Sequence, residues 1–163
     1  MAKITNKTVL AIEIPALPEG YSTRRVEKGD YHKGYLKVLS GLTTVGEVSE
    51  ELFSGTIDKW DTFKDIYQCL VVLNAEGLVV GTGNIIIEQK IIHGCSKVGH
   101  IEDISIDEEQ QGKKLGLILI RSLLKIGKES GCYKVILDCD SKNTGFYEKC
   151  GLKLAGIEME YRP

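Results

Sequence analysis

Apolar residues along the chain change their period several times, and each change marks an element. Tyr21–Val26 alternates and predicts a short strand. Asp30 is placed to cap a helix running to about Leu39, and Gly41 and Gly46 bracket the loop Leu42-Thr43-Thr44-Val45. Ser49 caps a second helix, with Glu50 and Glu51 in the first turn where the helix dipole favours anions. Its apolar positions Leu52, Phe53, Ile57, Trp60 and Phe63 keep to one stripe. Strand chemistry follows: Tyr67–Leu73, a turn at Asn74-Ala75-Glu76-Gly77, then Leu78–Ile87, which together predict a hairpin. Lys97–Ile106 continues the meander as a third strand. Leu115, Ile118, Leu119, Leu123 and Ile126 then recur at helical spacing within Gln110–Ser130, ending at Gly131. Val135–Asp140 reads as a strand, Thr144–Lys149 as a short helix and Leu152–Tyr161 as a final strand. Antiparallel strands followed by a strand–helix–strand unit predict a mixed α/β sheet with helices on its faces.

Length fits this as one domain over residues 21–163, preceded by a mobile leader, 1–20, that ends Pro15-Ala16-Leu17-Pro18-Glu19-Gly20. No internal repeat interrupts it. With 21 Lys plus Arg against 23 Asp plus Glu, the chain lacks the bulk positive charge of a nucleic-acid binder. No apolar run approaches the roughly 18 residues of a membrane span, and the first residues are not a secretory signal. Five cysteines at 69, 95, 132, 139 and 150 form no metal or disulfide spacing, which predicts reduced thiols in a cytoplasmic protein. Neither a zinc motif nor a nucleophile elbow is present, so metal-dependent and serine hydrolysis are disfavoured.

The chemistry concentrates where a strand meets a helix. His100–Ile106 leads through Asp107-Glu108-Glu109 into Gln111-Gly112-Lys113-Lys114-Leu115-Gly116. A helix N-terminus offers unpaired N–H groups and about half a positive charge, and so suits a phosphate. Two glycines keep side chains away and two lysines add charge. A simple helix cap is the alternative reading of the same residues.

This stretch resembles the acetyl-CoA pyrophosphate loop of the Gcn5-related N-acetyltransferases, Gln/Arg-x-x-Gly-x-Gly/Ala, with Gln111 first and Gly116 last. Lys114 stands where that pattern has Gly. Further segments match in order: Leu42–Gly46, Gly83–Glu88, Ile91–His93, Gly99–Ile104, Cys132–Cys139, and Asn143 followed by Phe146–Gly151. Together they resemble the eukaryotic glucosamine-6-phosphate N-acetyltransferases, fungal members most closely, from about Tyr21 to Arg162.

That resemblance implies the fold of the superfamily, a mostly antiparallel mixed sheet flanked by helices, with its C-terminal strand exchanged in a homodimer. It implies transfer of acetyl from acetyl-CoA to the 2-amine of glucosamine 6-phosphate, by direct attack in a ternary complex and without a metal. The product would feed UDP-N-acetylglucosamine synthesis. Ile104, Ser105 and Ile106 on a bulged strand, the loop residues Gln111, Gly112, Lys113, Lys114, Leu115, Gly116 and Leu117, and Asn143 and Tyr147 would hold CoA. The sugar phosphate would meet Thr43, Lys90, Ile91, Ile92, His93, Glu102, Asp103, Ile104, Tyr133, Lys134, Asp138 and Arg162, the last donated by the partner subunit.

Residue chemistry fits those roles. Asp138 lies near the C-terminal end of an apolar strand, where open α/β sheets bind ligands, and can orient an amine. Tyr147 can protonate or stabilise a departing thiolate, although a core tyrosine is the plain alternative. Glu102 and Asp103 are consecutive, so they reach one pocket only across a bulge. Two other functions stay open: acetylation of a different amine, such as a protein lysine or a polyamine, and a catalytically silent acetyl-CoA-binding module.

Overall fold

The computed structural model describes residues 11–163. Five strands form one sheet in sequence order: β1 Ser22–Arg25, β2 Tyr67–Leu73, β3 Val79–Gln89, β4 Lys97–Ile106 and β5 Cys132–Ile136. The first four pair antiparallel and β5 runs parallel to β4. Helices α1 Tyr35–Ser40, α2 Glu50–Thr62, the single turn α3 Ile92–Cys95, α4 Leu115–Glu129 and α5 Thr144–Cys150, with three short 3₁₀ turns, complete the described elements.

Two apolar clusters hold the layers together. On one face Leu115, Leu119, Ile120 and Leu123 of α4 pack with Val72, Val80, Ile85, Ile87 and Ile101 of the sheet. Each such side chain, fully buried, contributes about 2 kcal/mol. Close approach requires glycine: a Cβ at Gly83 would lie 2.4 Å from Ile104 Cδ1 and 3.2 Å from Leu119 and Leu123. On the other face Tyr35, Val38, Phe53 and Ile57 of α1 and α2 meet Cys69, Val71, Leu73 and Val79.

Several boundaries differ from the sequence pattern. Asp30 does not begin a helix; it sits inside a 3₁₀ turn, Lys28–Lys33, fully buried. Its carboxylate accepts two bonds from Arg24, at 2.7 and 2.8 Å, and one from the Glu27 N–H. Ser49 does cap α2, accepting from Leu52 N. Leu52 and Phe63 leave the α2 stripe and are exposed, because the contact face is only Phe53, Ile57 and half-buried Trp60. Helix α4 starts at Leu115 rather than Gln110, since Lys114 takes a left-handed backbone that breaks the helical path. β5 spans Cys132–Ile136, earlier than Val135–Asp140.

The segment Leu152–Tyr161, read as a strand, pairs with no strand among the described residues. Leu154, Ile157, Met159 and Tyr161 are 80 to 93% exposed. Of the leader, residues 1–10 lie outside the described residues. Residues 11–20 touch the rest of the chain: Arg121 donates to the Glu13 carbonyl and Leu17 packs on the α4 cluster.

Candidate active site

A strand pair that separates makes the site. β4 and β5 pair only from Lys97–Cys132 to His100–Ile136, after which β4 continues to Ile106 without a partner on that edge. Opposite, β3 meets β4 with a register shift between Thr82–Ser105 and Asn84–Glu102. One residue of β3, Gly83, therefore faces two of β4, Asp103 and Ile104. Asp103 takes the bulge with a φ of 53°, a left-handed conformation that Asp tolerates better than most residues.

Into the gap opens a cleft of about 410 Å³, lined by Ile101, Glu102, Asp103 and Ile104 on one wall and Leu137, Asp138, Cys139 and Asp140 on the other. Leu42, Lys142, Asn143 and Tyr147 complete it. The bulge thus puts consecutive Glu102 and Asp103 into one cavity. Burial raises the pKa of Glu102, and the negative charges of Asp138 and Asp103 raise it further. Such a pocket favours a cation or a hydrogen-bond-donating amine.

Tyr147 is half-buried in the middle of the last helix. Desolvation raises its pKa, with Cys139, Cys150 and Asp138 adding to the shift, so its phenol keeps its proton at neutral pH. A neutral O–H beside the cleft is the state that donates to a developing anion.

At the other end of the free β4 edge, the first N–H groups of α4 carry no side-chain cap. Gln111, Gly112, Lys113 and Lys114 are exposed just before them. Lys114 has a φ of 60°, which explains why the superfamily pattern prefers Gly at this position. Gly112 has a φ of 82° with open space around it. Gly116 has a packing reason of its own, since a Cβ there would press on the Phe146 ring at 3.2 Å. Leu115 is buried and Leu117 packs on the core. The Ser105 hydroxyl is committed to the Val38 carbonyl at 2.6 Å, which leaves only its backbone for a ligand.

The expected phosphate residues lie outside the cleft lining. His93 stacks on Tyr133 with ring centroids 4.0 Å apart, and Lys134 Nζ lies 5.7 Å from the same ring. His93 reaches this place through three successive left-handed residues, His93, Gly94 and Cys95. Ile91 and Ile92 beside it are exposed. Lys90 Nζ binds Glu88 at 2.6 Å, and His100 Nε2 lies 2.7 Å from the second Glu88 oxygen. Those two contacts, Lys90 first, lower the Glu88 pKa. Thr43 follows Leu42 at the mouth but does not line the cleft. Arg162 is distant in contact terms: it is exposed and pairs with Glu160.

The expected site residues did not include Leu42, Ile101, Leu137, Cys139, Asp140 and Lys142, which also line the cleft. Ile101 and Leu137 carry the same apolar signal as core, whereas the polar run after Asp138 offered a hint. Among the described residues no group of three or more His, Cys, Asp or Glu is placed to hold a metal, and no helix is long and apolar enough to cross a membrane.

Glu102 gives a pH-dependent stability prediction. Its folded pKa is raised, so its favourable contribution is full below the unfolded value of about 4.3 and is lost as pH rises through the folded value. Glu102→Gln is expected to melt a few degrees higher than the parent at pH 7, with the gain shrinking towards pH 4. Thermal denaturation at the two pH values checks this; a lower melting point at pH 7 would show that Glu102 makes a stabilising contact.

A V-shaped opening between two parallel strands, an acidic cleft with a neutral phenol, and an uncapped helix start beyond it form an acyl-transfer architecture. The chain belongs to the acetyltransferase (GNAT) family, which its residues 39–152 match. More narrowly, it is 52% identical over 146 residues to the glucosamine 6-phosphate N-acetyltransferase of Candida albicans, covering 90% of this chain and 98% of that one. It is 37% identical to glucosamine 6-phosphate N-acetyltransferase 1 of Dictyostelium discoideum, covering 86% and 90%. The crystal structure of glucosamine-6-phosphate N-acetyltransferase from Arabidopsis thaliana superposes with a TM-score of 0.85 at 36% identity, covering 87% of this chain and 97% of that one.

Proposed function

We propose that the chain acetylates the 2-amine of glucosamine 6-phosphate with acetyl-CoA, releasing N-acetylglucosamine 6-phosphate and CoA. The observation that carries this is the cleft itself, which sets Glu102, Asp103, Asp138 and Tyr147 around the gap between β4 and β5. Similarity over nearly the whole length to proteins named for that reaction supports the choice of acceptor. The product would enter UDP-N-acetylglucosamine synthesis.

CoA lies along the free edge of β4, with backbone groups of Ile104, Ser105 and Ile106 on the pantetheine arm. Its pyrophosphate rests on the N–H groups that open α4, from Gln111 to Leu117, with Lys113 and Lys114 adding charge. Asn143 lines the cleft near the thioester. The amine lone pair attacks the thioester carbonyl carbon while Asp138 and the Glu102–Asp103 pair fix the nitrogen. A backbone N–H at the bulge stabilises the oxyanion. As the tetrahedral intermediate collapses, the C–S bond breaks and Tyr147 gives its proton to the leaving sulfur. The proton lost by the amine leaves through the acidic cleft, and a proton from solvent restores the Tyr147 phenol.

The sugar phosphate is held by Lys90, His93, Lys134 and Arg162, with Thr43, Ile91, Ile92 and Tyr133 beside the ring. Arg162 is supplied by a second copy of the chain. In support, among the described residues Ile157, Met159 and Tyr161 form an exposed apolar row on a tail that pairs with no strand, and the outer edge of β5 is open. Adding the tail of one subunit as a strand to the other covers both. The free thiols at 69, 95, 132, 139 and 150 suit the cytoplasm.

Product identification tests the reaction. After incubation with acetyl-CoA and glucosamine 6-phosphate, nuclear magnetic resonance should show the new acetyl group on N2. Acetyl on a hydroxyl, or acetate alone, would contradict direct amine attack.

A further inference from the structure

Asn84 is the one residue among those described whose buried side chain has an unpartnered polar atom, its Oδ1. It is only 9% exposed and lies in the middle of β3, a strand of buried residues. Its Nδ2 donates to Asp103 Oδ2 at 3.4 Å, a long bond that leaves room to tighten. Flipping the amide would turn the oxygen towards a carboxylate, so the observed orientation is the only sensible one.

The position is not arbitrary. Asn84 faces Glu102 across the register shift that creates the bulge. It also lines a second cavity, of about 110 Å³, with Trp60, Tyr67, Gln68, Cys69, Ile85, Ile86 and Asp103. Asp103 alone belongs to both cavities. It has left-handed backbone and is otherwise solvent-exposed, with no other hydrogen bond to its carboxylate among the described residues. Asn84 is therefore its only side-chain tether.

An apolar residue in this strand would satisfy the core better, because a buried oxygen without a partner destabilises the fold. The amide returns one thing in exchange, the bond to Asp103. We propose that Asn84 is a positioning residue, which holds the Asp103 carboxylate in the cleft so that it meets the incoming amine. This rests on the acceptor reading given above and adds a residue to it. When an amine binds, the Asp103 carboxylate is held from two sides and the slack Asn84 bond shortens.

Two variants test it, with glucosamine 6-phosphate as acceptor. Asn84→Val removes the amide and the orphan oxygen, and the neighbouring cavity has room for the branch. It should melt at or above the parent temperature, bind acetyl-CoA unchanged and raise the acceptor KM about tenfold, with a smaller effect on kcat. Asn84→Asp places a like charge beside Asp103. The charged or titratable groups already near that carboxylate are Glu102 on its own strand and Tyr35 and Cys69 on α1 and β2, with Asp138 on the opposite wall of the same cleft. The added charge should move the acid limb of kcat/KM to higher pH. Parental KM and an unmoved acid limb in both variants would overturn the proposal. So would an equal loss of acetyl-CoA affinity, which marks general damage. If the unaltered enzyme fails to acetylate glucosamine 6-phosphate at all, the acceptor reading fails and the role of Asn84 falls with it.

Discussion

Tyr147→Phe should lower kcat about 100-fold while leaving acetyl-CoA affinity near that of the parent. The loss is confined to the hydroxyl because the ring keeps its packing: Tyr147 borders the α4 core and lies edge-on to Phe146, with centroids 5.0 Å apart. Phenylalanine preserves both contacts. What disappears is a donor that burial has kept protonated, the group proposed to protonate the leaving sulfur. Since the raised pKa keeps the phenol neutral through the physiological range, parent activity should not fall on account of Tyr147 between pH 7 and 9. Stopped-time thiol release at saturating substrates, together with equilibrium CoA binding, separates the two roles. Normal turnover with weakened CoA binding would make Tyr147 a packing residue.

Ending the chain after Leu152 should cost more. The deletion removes Arg162 and an apolar row that has no partner within one chain. Sedimentation of the parent is expected near twice its 18.0 kDa mass, and the shortened chain near its own. Activity on the phosphorylated sugar should fall about 100-fold through KM, since a charge-assisted contact to phosphate is worth about 1.5–3 kcal/mol. The fold itself should survive, because none of the clustered core residues lies beyond Leu152. A monomeric parent, or a shortened chain with unchanged KM, would contradict the shared site.

Much of the fold was legible in the chain because its signals are local. The hairpin at Asn74–Gly77, the capping Ser49 and the helical period of α4 each announce themselves within a dozen residues. The errors have a common cause: tertiary contacts decide what propensity does not. Asp30 reads as a cap, yet Arg24, six residues earlier, draws it into a buried pair. Leu52 and Phe63 fit the helical period in sequence but fall outside the contact face of Phe53, Ile57 and Trp60, and are exposed. Leu152–Tyr161 has strand chemistry and no strand to join within one subunit.

The site was legible in a different way. Gln111–Gly116 stood out from spacing alone, and resemblance supplied Asp138 and Tyr147. The bulge at Asp103, on which the Glu102–Asp103 arrangement depends, has no sequence signature of its own, because a left-handed Asp in mid-strand is specified by its partners rather than by its neighbours. Asn84 did carry a signal, a polar residue at a buried position in an apolar strand. Its meaning needed Asp103 in view across the register shift.

Initial rates of CoA thiol release with three acceptors bear most directly on what the enzyme acetylates. Glucosamine 6-phosphate should turn over rapidly, and both unphosphorylated glucosamine and a lysine peptide should barely exceed the rate without acceptor. Equal rates with and without the phosphate would contradict the assignment of Lys90, His93, Lys134 and Arg162, and a preference for the peptide would contradict the amino-sugar acceptor altogether.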